Sequence, residues 1–410
     1  MSAQQQQIAS LTATLRRYVE AFCLNMPNRH VGSPGNRAAT DFFAQTLARF
    51  GFETHSPNFD CLDWEDDGVT LHAGQETFHA LVSPYALSCR LTAPLVAVST
   101  FEEFETADFA GKIVLLHGEI AKEQYIPKHF PFEIPVEHPD MLVRLEQKAP
   151  VAILAATTRN PELAGAVYPF PLIEDGDFDI PSAYMTDEEG ERLLRHVGEE
   201  IALTIESRRI LATGCNVIGR KGRNSGAKLV ICAHIDAKKG TPGALDNATG
   251  VAILLALAEL LTDYDGSCGI ELVALNGEDY YAASGQAQYL AQNATEFERI
   301  LLAINLDLVG YREGRTGFSF YGCPEEFTHR IREALSRYDE LYEGEAWYQS
   351  DHMIFVLNQR PAMAFVSEQF MYLCAEITHT PKDIPNLVDY RKLAETALGL
   401  RDIALAIDLK

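Results

Sequence analysis

Hydrophobic positions change period along this chain, and the changes mark its organisation. Between Gln5 and Phe22, residues Ile8, Leu11, Leu15, Val19 and Phe22 can share one face, which predicts an amphipathic helix. A turn-forming cluster, Arg29-His30-Val31-Gly32-Ser33-Pro34-Gly35, follows. Asn36 to Phe50 reads as a second amphipathic helix, ended by Gly51-Phe52. From about Leu62 to Glu206 the texture is different. Short apolar runs at Leu95–Val98, Ile113–Leu116 and Val151–Ala155 alternate with turns, and proline is dense over 126–139 and 161–181. This predicts a separate β-rich module over 62–206 with long surface loops. From Asn216 onward, strand and helix patterns alternate. The expected strands are Leu229–Ala233, Ile270–Leu275, Ile300–Leu306 and Ala362–Val366. The expected helices are Ala248–Leu261, Ser284–Gln292, Glu326–Arg337 and Asp389–Ile407. That alternation implies an α/β fold with a mixed, mostly parallel sheet flanked by helices.

Composition narrows the picture. With 410 residues, 47% hydrophobic and 22% charged, the chain has the profile of a globular protein with two or three domains. Its 58 acidic against 34 basic residues give a net charge of −24, which argues against nucleic acid as a partner. The eight cysteines are scattered with no Cys-x-x-Cys pair, so reduced core thiols are expected rather than a disulfide framework. No basic segment followed by an apolar core opens the chain and no run of 18 apolar residues occurs, so no signal peptide and no membrane span are expected. The expected location is the cytoplasm.

Candidate chemistry gathers where the predicted strands end. The run Leu229-Val230-Ile231-Cys232 leads into Ala233-His234-Ile235-Asp236, and Gly243-Ala244-Leu245-Asp246-Asn247 opens the next helix. The strand after it runs into Glu278-Asp279, and the following one into Asp307. His379 stands in a late loop, Glu376-Ile377-Thr378-His379-Thr380-Pro381-Lys382-Asp383. In open α/β sheets, ligands bind beyond the carboxyl ends of the strands. Imidazole and carboxylate together are what zinc takes as ligands. Acids that end successive strands of one sheet repel each other unless a cation neutralises them. A Ser or Cys nucleophile has less support: no Gly-x-Ser-x-Gly elbow is present, and Cys232 lies inside a predicted buried strand.

The order His-x-Asp, Gly-Ala-x-Asp-Asn-Ala-x-Gly, Gly-Glu-acid, Asn-Leu-Asp and His-Thr-x-x-Asp resembles the zinc aminopeptidases of the M28 metallopeptidase family, from about Asn216 onward. The N-terminal helices and the Gly32–Gly35 turn also fit. Asp108–Leu115 and Ile180–Thr186 resemble a protease-associated domain, so 62–206 is expected to be an insert between 1–61 and 207–410. The resemblance implies two zinc ions per chain. Asp246 would bridge them, His234 and Asp307 would complete one, and Asp279 and His379 the other. Glu278 would be the general base and Asp236 would orient His234. The implied substrate is a peptide with a free N-terminus, with no nucleic-acid or membrane partner and the oligomeric state left open. Two departures stand out. Asp279 occupies a position where the family usually has Glu, and Thr378 stands where some members have a Tyr that holds the tetrahedral intermediate. Tyr280, Tyr348 or Tyr372 could replace that group. Ser350-Asp351-His352 resembles a further family motif near the substrate pocket, with His352 either packing or touching substrate. The alternatives are a glutaminyl cyclase-like single-zinc enzyme of the same fold, a catalytically silent binding protein, and a metal enzyme acting on another amide.

Overall fold

The structure is a computed structural model that describes residues 3–130, 137–160, 163, 167–223, 226–280 and 285–408. The chain divides into two compact units. One comprises Met1–Asp60, Thr213–Asp279 and Ala283–Lys410, and the other Cys61–Ala212 with Tyr280–Ala282.

The first unit is built on an eight-stranded sheet. Its strands are β1 (Glu53–His55), β2 (Val217–Lys221), β3 (Lys228–His234), β4 (Gly269–Leu275), β5 (Ile300–Leu306), β6 (Thr316–Tyr321), β7 (Leu341–Glu343) and β8 (Ala362–Ser367). Their order across the sheet is β1-β2-β4-β3-β5-β8-β6-β7. The inner four, β4-β3-β5-β8, are parallel, whereas β2 runs antiparallel to β4 and β6 antiparallel to β8. Every residue of β3 and β8 is buried, because both sheet faces are covered. That double burial is why these strands read as continuous apolar runs rather than as alternation. The chain leaves β3 for β4 on one side and later places β5 on its other side, so the switch in strand order falls at β3, the usual place for a binding crevice.

Helices Ala3–Glu20, Pro34–Arg49, Thr249–Leu260, Gly285–Asn293, Glu325–Leu335 and Tyr390–Asp408 accompany this sheet. Ser284, the expected first residue of the fourth, lies outside the described residues. Residues Thr249 to Ala258 are all buried, so this helix has no polar face. Its start approaches the sheet closely: a Cβ on Gly250 would lie 2.4 Å from Asn247 Oδ1 and 2.9 Å from the Leu306 carbonyl oxygen. Only glycine admits that spacing. Asn247 uses it, donating from Nδ2 to the Leu306 carbonyl at 2.7 Å and accepting the Gly250 N–H at 3.1 Å. The start of the helix is thereby tied to the end of β5. Ser33 caps the helix Pro34–Arg49 by accepting the Asn36 N–H, with Pro34 at its first position.

The second unit carries a sheet of its own. Cys89–Val98, Ile113–Leu116, Ala152–Thr157 and Ser182–Thr186 pair in parallel in that order, while Glu200–Cys215 runs antiparallel to Cys89–Val98 and Leu81–Val82 antiparallel to Ser182–Thr186. Its side chains alternate between two apolar cores. Ile113, Leu115, Ala152 and Leu154 face one, and Val114, Leu116, Ile153 and Ala155 the other. Within the proline-dense stretches, 131–136, 161, 162 and 164–166 lie outside the described residues. Among the described residues, no helix of the chain is long and apolar enough to cross a membrane, and all eight cysteines are free thiols.

Candidate metal centre

His234 is the last residue of β3, and the backbone leaves that strand through Ile235 to Asp236. Asp246 follows the Gly-Pro loop just before the buried helix and is joined to Asn247 by a cis peptide bond. Glu278 and Asp279 lie in the turn after β4, and Asp307 directly follows β5. His379 sits in the loop after the helix Phe370–Glu376, with a left-handed φ of 59°.

The structure brings all of these side chains together. One group, His234, Asp246 and Asp307, offers ligand atoms within 4.8 Å of one another, and so does a second, Asp246, Asp279 and His379. Asp246 belongs to both. Its Oδ1 lies 3.2 Å from His234 Nε2, and its Oδ2 lies 3.1 Å from His379 Nε2. His379 Nε2 is 2.9 Å from Asp279 Oδ1, and His234 Nε2 is 3.5 Å from Asp307 Oδ1. Glu278 Oε2 lies 4.0 Å from His234 Nε2.

These contacts are close without being well-aimed hydrogen bonds. Among the described residues, Nδ1 and Nε2 of His234, Oδ2 of Asp279 and Oδ1 of Asp307 are buried and have no hydrogen-bond partner. Buried polar atoms are rarely left so, because their desolvation then goes uncompensated. Donor atoms that crowd one volume yet fail to bond each other fit ligands converging on a third body. Two imidazoles and three carboxylates, all partly or wholly buried, are a donor set that suits zinc.

The electrostatics point the same way. Burial opposes a charged imidazolium at His379, yet Asp279 and Asp246 outweigh it and push the group up to about 10. His234 is likewise raised by Asp307, Asp236 and Asp246 against its burial. Burial alone would raise Asp246, but the imidazoles on either side hold it well below the usual carboxylate range. Burial lifts Glu278 well above its ordinary value; His234 opposes this, and Asp307, Asp351 and Asp279 add to it. A cluster that pulls protons this strongly onto its histidines is one that calls for positive charge.

Asp236 is wholly buried. Its Oδ1 accepts the Gly277 N–H at 2.8 Å and its Oδ2 the Asp279 N–H at 3.1 Å, while His234 Nδ1 stands 3.6 Å from Oδ1. The hydrogen bonds of this carboxylate therefore go to the turn that carries Glu278. Cys232 is buried, with Sγ 3.5 Å from Asn305 Oδ1. Among the tyrosines that could stand in for the missing one at Thr378, Tyr280 is buried with its ring against Trp64 and Tyr85, whereas Tyr348 and Tyr372 are 67% and 48% exposed. Asp351 Oδ1 accepts from Gln286 Nε2 at 2.6 Å, and burial pushes this carboxyl up to about 7. His352 Nε2 donates to the Trp347 carbonyl at 2.9 Å.

Two residues beside the centre carried no assigned role in the sequence reading. Arg29 appeared there only as part of a turn, and Asp383 only as the end of a motif. The structure buries both against the loop that carries Asp246.

A family model described as Peptidase family M28 matches residues 216–404. Among curated proteins, the chain is 24% identical over 313 residues to a probable lipoprotein aminopeptidase, LpqL, of Mycobacterium tuberculosis, covering 73% of this chain and 58% of that protein. It is 23% identical to a probable leucine aminopeptidase 2 of Aspergillus oryzae, covering 69% of this chain and 55% of that protein. The chain thus spans little more than half the length of these relatives. Among solved structures, an aminopeptidase from Aneurinibacillus sp. strain AM-1 has the same fold, with a TM-score of 0.77 at 22% identity over 98% of this chain and 95% of the other. Residues 216–404 of this chain are therefore similar in sequence to peptidase family M28.

Proposed function

We propose that this chain is a zinc aminopeptidase that hydrolyses the N-terminal peptide bond of peptides at a two-zinc centre. Asp246 would be the ligand shared by both ions, with His234 and Asp307 holding one and Asp279 and His379 the other. The observation that carries this reading is the split of one carboxylate between two imidazoles: Oδ1 of Asp246 faces His234, and Oδ2 faces His379. The family match supports the class of chemistry. A solved relative of the same fold, at TM-score 0.74 and 18% identity over 96% of this chain and 94% of the other, is the zinc aminopeptidase BSAP of Bacillus subtilis.

Zinc held by these side chains supplies Lewis acidity to a water molecule and to the scissile carbonyl. Glu278 would take a proton at its carboxylate from the attacking water and pass it to the leaving amine as the C–N bond breaks. It precedes a proposed ligand without joining either group of ligands, so its oxygens remain available for proton transfer. Asp236 holds the turn of Glu278 through the Gly277 and Asp279 amides, so that the base cannot swing away. The surrounding acids attract the positively charged α-amino group of a substrate, which favours cleavage at the N-terminus. The second unit is proposed to be a protease-associated insert, and the cytoplasm remains the proposed location.

The test is a panel of aminoacyl chromogenic substrates, assayed with chelator and again after zinc, cobalt or manganese is added back, together with zinc counted per chain. Hydrolysis that stops with chelator and returns with metal at two ions per chain supports the proposal. One ion per chain would favour a single-zinc enzyme of the glutaminyl cyclase type. No hydrolysis of any amide substrate by the zinc-loaded protein would leave a binding protein.

A further inference from the structure

Arg29 is 1% exposed, yet its guanidinium donates to backbone carbonyls rather than to a carboxylate. Nη1 reaches Phe22 O and Pro242 O, each at 2.9 Å, Nη2 reaches Gly243 O at 2.8 Å, and Nε reaches Ile235 O at 3.3 Å. Ile235 sits between His234 and Asp236, and Gly243 opens the turn into Asp246. One planar, rigid fork therefore ties the end of β3 to the Asp246 loop. The approach is tight. A Cβ on Gly243 would lie 2.8 Å from Arg29 Nη2, and Gly243 itself has a left-handed φ of 56°.

Asp383 acts on the same loop through its amides. It is 0% exposed; its Oδ1 accepts the Leu245 N–H at 2.8 Å and its Oδ2 the Asp246 N–H at 3.0 Å. Its own carbonyl accepts the Ala244 N–H at 3.3 Å. The stretch Pro242 to Asp246 is thus held through the Pro242 and Gly243 carbonyls by a guanidinium and through the Leu245 and Asp246 amides by a buried carboxyl group. The hydrogen bonds of the guanidinium are charge-assisted, which makes them stronger than neutral ones and fixes direction as well as distance.

We infer that Arg29 and Asp383 are a pair of positioning residues that set where the Asp246 carboxylate stands between His234 and His379. A bridging carboxylate has to serve two ions at once, so a small shift of its backbone weakens both sites together. The inference rests on the two-zinc reading above.

The test uses the full chain and does not depend on turnover. Zinc affinity is measured by competition with a chromophoric chelator, the visible spectrum is recorded after cobalt substitution, and the metal-free protein is melted. Asp383→Asn keeps the side-chain size but turns an amide –NH2 toward one of the two backbone N–H donors. Arg29→Lys keeps the charge but cannot reach four carbonyls in one plane. Both variants are expected to lose roughly 10- to 100-fold in zinc affinity, as is usual when a partner of a metal ligand is altered, and to shift the cobalt spectrum. Metal-free Asp383→Asn is expected to melt as a single folded species. Wild-type zinc affinity together with an unchanged cobalt spectrum in either folded variant overturns the inference. If one variant does not fold, the other decides by the same two readouts. A wild-type chain that takes up no zinc in the same titration overturns the metal-centre reading itself, an outcome separate from the behaviour of the variants.

Discussion

Asp236 and Asp279 are joined by a 3.1 Å hydrogen bond in which the buried carboxylate Oδ2 accepts the backbone N–H. Its other oxygen takes the Gly277 N–H at 2.8 Å, so one side chain after β3 clasps both sides of Glu278 after β4. Neighbouring parallel strands deliver the two loops: His234 pairs in register with Leu275. The position of the proposed base therefore depends on a residue 42 positions away in sequence, 278 − 236.

Glu278→Gln is expected to lower kcat by roughly 10²- to 10⁴-fold, the usual contribution of a general acid–base group. Zinc content is expected to stay at the wild-type value. Steady-state kinetics and metal analysis of the same preparation check this, and loss of zinc from the variant would show that Glu278 is a ligand instead.

Asp236→Asn presents an –NH2 to one of two backbone N–H donors, so one of the bonds to Gly277 and Asp279 is lost. A fall in kcat with little change in KM is expected, because the turn carrying Glu278 is displaced while the substrate surface is not. Metal affinity is expected to fall by about 10-fold or more, since His234 Nδ1 stands 3.6 Å from this carboxylate. Wild-type kcat in a zinc-saturated variant would remove the positioning role.

Chelation is expected to lower the melting temperature. Asp246, Glu278, Asp279 and Asp307 crowd one volume, and a bound cation relieves their repulsion. A ligand that binds only the folded state stabilises it by about 2.7 kcal/mol when its free concentration is ~100 times Kd. Calorimetry with and without added zinc reads the shift, and identical melting curves would speak against a metal in this cluster.

His352 gives a pH signature. Burial lowers it from 6.5 to about 4, against the opposing influence of the Trp347 carbonyl and Asp307. Between those two values the unfolded chain binds the additional proton, so stability rises with pH across the window and is lost as pH falls through it. In chelator-treated protein, His352→Gln is expected to flatten that slope by up to about 1.4 kcal/mol per pH unit. Denaturant titrations of both proteins at pH 5 and pH 7 check it; parallel stability profiles would refute it.

The strands at the heart of the first unit were legible because parallel strands buried on both faces leave unbroken apolar runs. Lys228–His234, Gly269–Leu275, Ile300–Leu306 and Ala362–Ser367 all lie within a residue or two of their expected bounds. The outer strands were not read. Thr316–Tyr321 mixes Gly and Ser among aromatics, and Leu341–Glu343 has only three residues, so neither leaves a period long enough to recognise. The helix Glu325–Leu335 stops two residues before its expected end, where Ser336 takes over as the cap. Residue types at strand ends were equally legible, since acids and histidines that follow apolar runs stand out in one dimension.

The sequence by itself determined which residues could serve as ligands and which apolar runs would become the central sheet, because local composition and period are sufficient for both. Only the tertiary structure decided that Asp246 turns one oxygen to His234 and the other to His379, that Asp236 clasps the Glu278 turn, and that Arg29 and Asp383 hold the Asp246 loop. These are hydrogen bonds and close approaches between residues from 12 to 214 positions apart. Their partners are chosen by the order of strands in the sheet and the path of the loops, and a pattern along the chain carries neither.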